Sequence, residues 1–562
     1  MKPFDRLPWP RISFVAPLAA VALALGLQPS AVHADSAPTD SFAVATETQA
    51  ATRAAIATLR AGGNAVDAAI TAALVLGVVN PTSSGLGGGG FALVFDSRTQ
   101  RVTALDFRES APRGIDPRSL DARPVDELSR GVLTGVPGEA AGLAELHKRW
   151  GRRTFLQDAQ PAIHAAESGF AIERHLARSL RSNRARLQAS LALTDRFLRR
   201  GQPLDTGARL TNPQLARTLR SLGSSGPNAF YQGPVAAEIA RATQAYGGSL
   251  DTDDLAAYHV IERTPLHVAW NGHDVFTMPP PSAGGLLLAQ TLLMHDRASL
   301  TALGADSPAY IHLLAETFRG AVSDRIRAVG DPDAVTVPMA TLLSTEHLRA
   351  RRARIRSDQT HEPSNFQLPE HGTMHLVVVD RERNVVALTS TVNNAFGTRI
   401  VAPECGVILN DELDDFTPLK TARLFGFSDG GPNAPRAGAR PVSSMTPTIV
   451  VDGGTPVLAL GGSGGVLIPT GVTEVLLRAL AFDTSAERAV AAPRFSVSVG
   501  GPSLLIEPEW ISEAQERQLR TMGEPIMPLT LPTAVQAVRM RSNGRMEAGA
   551  DPRKFGLGMV VR

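Results

Sequence analysis

Two apolar, β-branched runs, Thr373 to Val379 and Val385 to Val392, flank the charged tract Asp380-Arg381-Glu382-Arg383-Asn384. That pattern predicts a β-hairpin with a loop of about five residues. With Glu382 at the turn centre, Thr373 faces Thr391, and the two-residue period of a strand adds His375, Thr389 and Asn393 to the same face. Hydroxyl, imidazole and amide groups thus gather on a strand pair that is otherwise built for burial. A hairpin that only fills a core would carry valines there, whereas a polar-faced strand at a sheet edge would carry the same residues. The pattern alone leaves both readings open.

A threonine hydroxyl is a poor nucleophile without an adjacent base, and one economical base is the threonine's own α-amine. An α-amine has a reference pKa of about 7.7 to 8.0, so a useful fraction is unprotonated near neutral pH, while an internal peptide nitrogen has no basicity. Cleavage at Gly372-Thr373 would therefore create the catalyst. Gly372, lacking a Cβ, suits the strained geometry in which the Thr373 hydroxyl attacks the preceding carbonyl.

The organisation of the chain is consistent with a processed, exported protein. Lys2, Arg6 and Arg11 precede an apolar run from Ser13 to Leu27, and Val32-His33-Ala34 supplies the small residues of a cleavage site, so residues 1–34 read as a secretory signal. The run is short for a membrane anchor. The full chain carries 56 Lys and Arg against 54 Asp and Glu. Loss of Lys2, Arg6, Arg11 and Asp5 with the leader leaves 53 of each, so the basic balance is no nucleic-acid signature. The arginines between Arg174 and Arg200 alternate with Leu176, Leu180, Leu187 and Leu191, as on a solvated helix face. A single cysteine, Cys405, excludes an intrachain disulfide framework and is expected as a small buried strand residue. No linker, repeat or low-complexity tract divides the chain. The expected boundary is the processing point, with residues 35–372 and 373–562 sharing one core.

Residues 43–59 and 64–79 read as alanine-rich helices separated by Gly62-Gly63, with Asn64 capping the second. Gly85 to Gly90 fits G-x-G-x-x-G, but a helix precedes it and the strand Phe91–Phe95 follows, the reverse of a dinucleotide fingerprint. Close backbone packing is the better reading. Arg108, between Phe107 and Glu109, is either a structural ion-pair partner or a grip for a substrate carboxylate. Residues 307–330 form a well-patterned scaffold helix, and MPPPSAGG reads as scaffold too. Asp411, Glu412, Asp414 and Asp415 crowd a short span without the spacing of a calcium loop. Val457 to Leu460, then Gly461-Gly462-Ser463-Gly464-Gly465, then a helix from Gly471 to Ala481 follow the order of a hydrolase nucleophile elbow. That mechanism needs a later histidine, and the last histidine in the chain is His375. The glycines fit an oxyanion hole better. His371 and His375 lie four apart on a strand without a cysteine partner, so zinc is not expected.

A dozen segments in one order, among them GGNAVDAAITAALVLGVVNP, SGLGGGGFAL, LDFRESAP, GVPGEAAGL, GDPD, the GTMH junction, LNDELDDF and PVSSMTPTIV, make the chain resemble the γ-glutamyltransferases (γ-glutamyltranspeptidases), self-processing N-terminal-nucleophile hydrolases. The resemblance spans nearly all of the mature chain. It implies an α+β fold, a four-layer αββα sandwich with two stacked antiparallel sheets. It implies cleavage between Gly372 and Thr373 into a large fragment (35–372) and a small one (373–562) that stay together as a heterodimer. Thr373 would be nucleophile and α-amine base, Thr391 would orient it, and Gly464 and Gly465 would form the oxyanion hole. Arg108, Ser443 and Ser444 would hold a substrate α-carboxylate, Glu412 and Asp415 the α-ammonium, and Asn393 would help at that charged end. No cofactor and no metal are implied. The expected substrates are glutathione and other γ-glutamyl compounds, with water or an amino acid as acceptor. The expected location is the periplasm or outside the cell, without stable membrane insertion or nucleic-acid binding.

Some positions depart from the family pattern. Val466 and Leu467 stand where serine and arginine often follow the oxyanion glycines, Glu412 where members vary between glutamate and glutamine, and Phe425 about where a lid tyrosine would be. A glutaryl- or cephalosporin-type acylase on the same fold and a non-enzymatic binding relative are the alternatives. Asp415 argues against the first, because a glutaryl group has no ammonium to bind. The filled catalytic positions argue against the second.

Overall fold

A computed structural model describes residues 41–121, 130–360, 372–424, 426–498, 503–508 and 510–562. The expected leader, His371 and Phe425 lie outside the described residues. Before residue 372 the chain supplies strands β1 (Phe42–Thr46), β2 (Gly89–Asp96), β3 (Arg101–Phe107), β4 (Ile261–Arg263), β5 (Leu266–Trp270) and β6 (His273–Thr277). From Gly372 on it supplies β7 (Gly372–Val379), β8 (Val385–Asn393), β9 (Thr448–Asp452), β10 (Thr455–Ser463), β11 (Ala534–Met540), β12 (Met546–Ala550) and β13 (Leu557–Val561). One sheet runs β13-β1-β7-β8-β2-β3-β4 and the other β12-β11-β10-β9-β6-β5, with antiparallel pairing throughout. The two sheets pack face to face through β7 and β8 against β10. Helices α1 (Gln49–Arg60) and α2 (Ala65–Val79) cover the outer face of the first sheet, while α4 (Gly284–Met294) and α6 (Ile468–Leu480) cover the second. The result is the four-layer αββα sandwich.

The hairpin β7–β8 lies in the middle of its sheet, which decides between the two readings of its polar face. Val379 pairs with Val385, His375 with Thr389 and Thr373 with Thr391, the register set by Glu382 at the turn centre. Neighbours on both sides, β1 and β2, bury the pair completely, so the face is not a sheet edge. The glycine-rich turn before β2 presses on this hairpin. A Cβ on Gly88 would stand 1.9 Å from the Thr391 carbonyl oxygen and one on Gly90 2.1 Å from that of Thr389, so close packing is what those glycines serve.

Three expectations need correction. Residues 43–46 are strand rather than helix, because Ala43 to Thr46 pair with β7 on one side and β13 on the other. Inter-strand hydrogen bonds outweigh the modest helix preference of alanine. The helix starts at Gln49, capped by Thr48, whose side chain accepts from the Ala51 N–H. Cys405 is buried as expected, but in the turn between the two-residue strands Val401–Ala402 and Val407–Ile408. The strand expected at 457–460 runs on to Ser463, and its helix begins at Ile468 rather than Gly471.

α2 is buried on every side, which is why its sequence is apolar all round, and Asn64 and Asp67 close a reciprocal capping box at its start. α3 (Glu139–Trp150) opens on a carboxyl that is itself buried. Burial raises Glu139 from 4.5 to about 8, against a smaller opposing effect of Ser390. Between those values the folded chain holds a proton that the unfolded chain has released, so this group makes stability fall as pH rises from about 4.5 to about 8, by at most about 1.4 kcal/mol per pH unit. Glu139→Gln is expected to lessen the drop in thermal midpoint between pH 5 and pH 7.5, measured in an uncleaved Thr373→Ala background. An unchanged drop would mean that Glu139 titrates normally.

Candidate active site

The polar face of the hairpin opens onto a cavity of about 20 Å³. Thr373, Thr391, Asn393, Arg108, Glu412, Asp415, Ser443, Ser444 and Gly465 all line it, drawn from positions more than 350 residues apart. Gly464 precedes Gly465 without lining the wall. The two glycines have φ of +121° and +63°, a left-handed backbone that side-chain-bearing residues rarely adopt. A Cβ on Gly464 would also meet Thr533 Cα at 2.6 Å. Val466 and Ile468 add an apolar patch to the wall.

Thr373 Oγ1 and Thr391 Oγ1 lie 3.3 Å apart, within hydrogen-bonding reach, and Thr391 Oγ1 also accepts from the Asn393 N–H at 2.8 Å. Asn393 takes a left-handed φ of +70° and ties down the acidic loop by donating from Nδ2 to the Asp411 carbonyl at 3.0 Å. Gly372 and Thr373 are consecutive residues of β7, so the Thr373 nitrogen is an amide and the structure describes the uncut chain. His375, the titratable side chain two residues on, shares a 2.8 Å hydrogen bond between its Nδ1 and Thr389 Oγ1. Burial lowers its pKa to about 3, so this imidazole is no useful base near neutral pH. Gly461 of β10 makes room for it, since a Cβ there would come within 2.2 Å of the ring.

Arg108 closes on Glu412 through Nη1 and on Asp415 through Nη2, the latter at 2.5 Å. Its Nε and Nη2 donate to the Pro441 and Val442 carbonyls at 3.1 and 3.3 Å. Burial pulls the pKa of this guanidinium down, but Glu412 and Asp415, with Glu109 beside them, more than offset it and raise it above the usual arginine value. Glu412 and neighbouring Glu109 are both pushed up by burial, against the attraction of Arg108. Ser443 and Ser444 lie on a loop held by the MPPPSAGG segment. Ser443 N–H donates to the Pro281 carbonyl at 2.9 Å, and Ser282 Oγ donates to the Met445 carbonyl at 2.6 Å.

Two features of the site had no signal in the sequence. Lys554 Nζ donates to the Thr373 carbonyl at 2.6 Å and to Glu47 Oε2 at 2.9 Å, bracing the threonine's backbone from behind. Glu47 also accepts from Ser463 Oγ and, at 3.3 Å, from the His375 N–H. Ser463, the serine of the G-x-S-x-G segment, is therefore buried and committed to a carboxylate, which removes the elbow reading. The second feature is Arg325, in the last turn of α5 (Pro308–Ala328), which also lines the cavity. α5 is more than scaffold, although nothing in its sequence distinguishes Arg325 from Arg327. Among the described residues no group of three or more His, Cys, Asp or Glu could hold a metal ion.

Comparison with known proteins gives the family. The family described as Gamma-glutamyltranspeptidase matches residues 51–561. The chain belongs to this family. A glutathione hydrolase proenzyme of Bacillus subtilis is 36% identical over 462 residues, covering 78% of this chain and 77% of the relative. The glutathione hydrolase proenzyme of Escherichia coli is 32% identical over 529 residues, covering 91% and 90%. Among solved structures, a Helicobacter pylori gamma-glutamyltranspeptidase is 31% identical with a TM-score of 0.53, covering 61% of this chain and 95% of the solved one. A cephalosporin acylase of Bacillus halodurans aligns at a TM-score of 0.83 over 96% and 99%. At 24% identity that likeness shows the shared fold alone.

Proposed function

We propose that this γ-glutamyltranspeptidase is a self-processing γ-glutamyl transferase and hydrolase acting on glutathione and related γ-glutamyl compounds. The observation that carries the proposal is the meeting, in one cavity, of the Thr373–Thr391 hydroxyl pair with the Arg108–Asp415 ion pair and the two serines. Cleavage between Gly372 and Thr373 frees the amine. The Thr373 hydroxyl then attacks the γ-carbonyl, its proton passing to that amine and from it to the departing nitrogen, so that the C–N bond breaks, a free amine leaves and a γ-glutamyl ester remains on Thr373. Backbone N–H groups at Gly464 and Gly465 receive the developing oxyanion. Water or an amino acid takes the acyl group and restores the hydroxyl.

A glutamyl end carries one positive and one negative charge. Its ammonium replaces the guanidinium on Asp415 and Glu412, while its carboxylate takes Arg108, Ser443 and Ser444, so each charge keeps a partner as the ion pair opens. The proenzyme names of the bacterial relatives support processing. Residues 35–372 and 373–562 are accordingly the proposed large and small fragments. The leader at 1–34 supports export to the periplasm or beyond. No helix among the described residues is long and apolar enough to cross a membrane.

The test is release of anilide from γ-glutamyl-anilide and from glutaryl-anilide by the processed protein. Cleavage of the first with little of the second is expected. The reverse preference would make the chain an acylase, and inertness toward both would make it a binding relative.

A further inference from the structure

The cavity holds two arginines, and they are not equivalent. Arg108 is paired with both nearby carboxylates and two carbonyls, which occupies four of its five N–H donors. Arg325 has a single partner among the described residues, Ser444 Oγ, which accepts from its Nη1 at 2.5 Å. No carboxylate of the described residues lies within ion-pairing distance of it. Burial lowers its pKa to about 10, with only partial help from Asp415, so at neutral pH it is still a cation, without an ion-pair partner among the described residues.

The two serines are set in a matching way. Ser444 Oγ accepts from Arg325, and Ser443 Oγ accepts from the Met445 N–H at 3.1 Å. Each hydroxyl has used a lone pair and keeps its own hydrogen for another acceptor. A guanidinium with spare donors beside two hydroxyls with spare hydrogens makes a site for a planar anion with two oxygens.

We propose that Arg325 is a specificity residue of this site, the second guanidinium that receives the α-carboxylate of the acyl donor, with Ser444 held at its side. The proposal rests on the γ-glutamyl reading above and deepens it. Arg108 has one N–H left and can turn its paired face to the carboxylate only as its own ion pairs loosen, whereas Arg325 meets it without breaking any. The pairing then balances: the substrate ammonium goes to Asp415, and its carboxylate bridges Arg325 and Arg108. An acyl donor without that carboxylate leaves Arg325 uncompensated in the wall.

The test compares wild type with Arg325→Gln on γ-glutamyl-anilide and on the analogue whose α-carboxylate is a carboxamide. In processed Arg325→Gln, kcat/KM for γ-glutamyl-anilide is expected to fall about tenfold or more, mainly through KM, while the value for the carboxamide changes less than about threefold. Arg325→Lys, which keeps the charge on a different reach, is expected to recover part of the loss. Should the glutamine variant fail to mature, the lysine variant carries the test, with a loss of about threefold or more confined to the carboxylate substrate. Equal losses on the two substrates, or none on either, overturn the proposal. Wild-type cleavage of γ-glutamyl-anilide reports separately on the function itself, and a wild type inert toward both compounds sinks both readings.

Discussion

Thr373→Ala is expected to stay a single chain and to lose activity toward γ-glutamyl-anilide by at least about a thousandfold, the scale on which loss of a nucleophile acts. One residue carries both outcomes because, in the proposed mechanism, the hydroxyl that cuts the Gly372-Thr373 bond also opens the substrate amide, and the base for the second reaction is the product of the first. The surroundings support this economy. His375, two residues on, is buried, committed to Thr389 and too weakly basic to substitute for the amine. Lys554 bonds the carbonyl of Thr373 rather than its hydroxyl. Denaturing electrophoresis and sequencing of fragment ends decide the matter: wild type should give fragments beginning near Asp35 and at Thr373. A new end elsewhere in wild type, or a cut chain in Thr373→Ala, would remove the mechanism.

Asp415→Asn is expected to lower the ratio of kcat/KM for γ-glutamyl-anilide over glutaryl-anilide by about tenfold or more, with processing intact. A hydrogen bond to a charged partner contributes about 1.5 to 3 kcal/mol, which is roughly ten- to two-hundredfold in relative rate. The asparagine offers the ammonium a carbonyl but also a repelling NH₂, while a glutaryl group, having no ammonium, loses nothing. The structure adds a further consequence. Arg108 rests on Asp415 as well as Glu412, so the substitution also loosens the resting ion pair that fills the cavity. Both substrates share that effect, and the ratio cancels it. A ratio that stays put in a fully processed variant would show that Asp415 does not read the α-amine, and the acylase reading would gain.

The parts of this site that could be read from the chain are those written in local pattern. The hairpin is legible because strand period and loop symmetry act over twenty residues, and Glu382 at the turn centre is enough to set Thr373 opposite Thr391. The helix caps at Asn64 and Ser307 are legible for the same reason, since a cap and the N–H it receives are two or three residues apart. Local pattern misled at residues 43–46, where alanines suggested helix. Their strand state is imposed by β7 and β13, partners more than 300 residues away in sequence.

The sequence by itself determined the chemistry on offer: a threonine after a glycine, a polar face on a strand built for burial, and glycines where a backbone must turn left-handed or lie close. Through the resemblance of its motifs it also named Arg108, Glu412, Asp415 and the two serines as partners, though no spacing connects them. Only the tertiary structure decided which charges meet. Glu47 and Lys554 are 507 residues apart and brace Thr373 only because β1 and the C-terminal turn converge behind β7. Arg325 resembles any arginine in the last turn of a helix until the fold places it beside Ser444, without an ion-pair partner among the described residues. The physical reason is one of range: periodicity and capping are interactions between near neighbours, whereas pairing of buried charges depends on which distant segments the sheets bring within about 4 Å of each other.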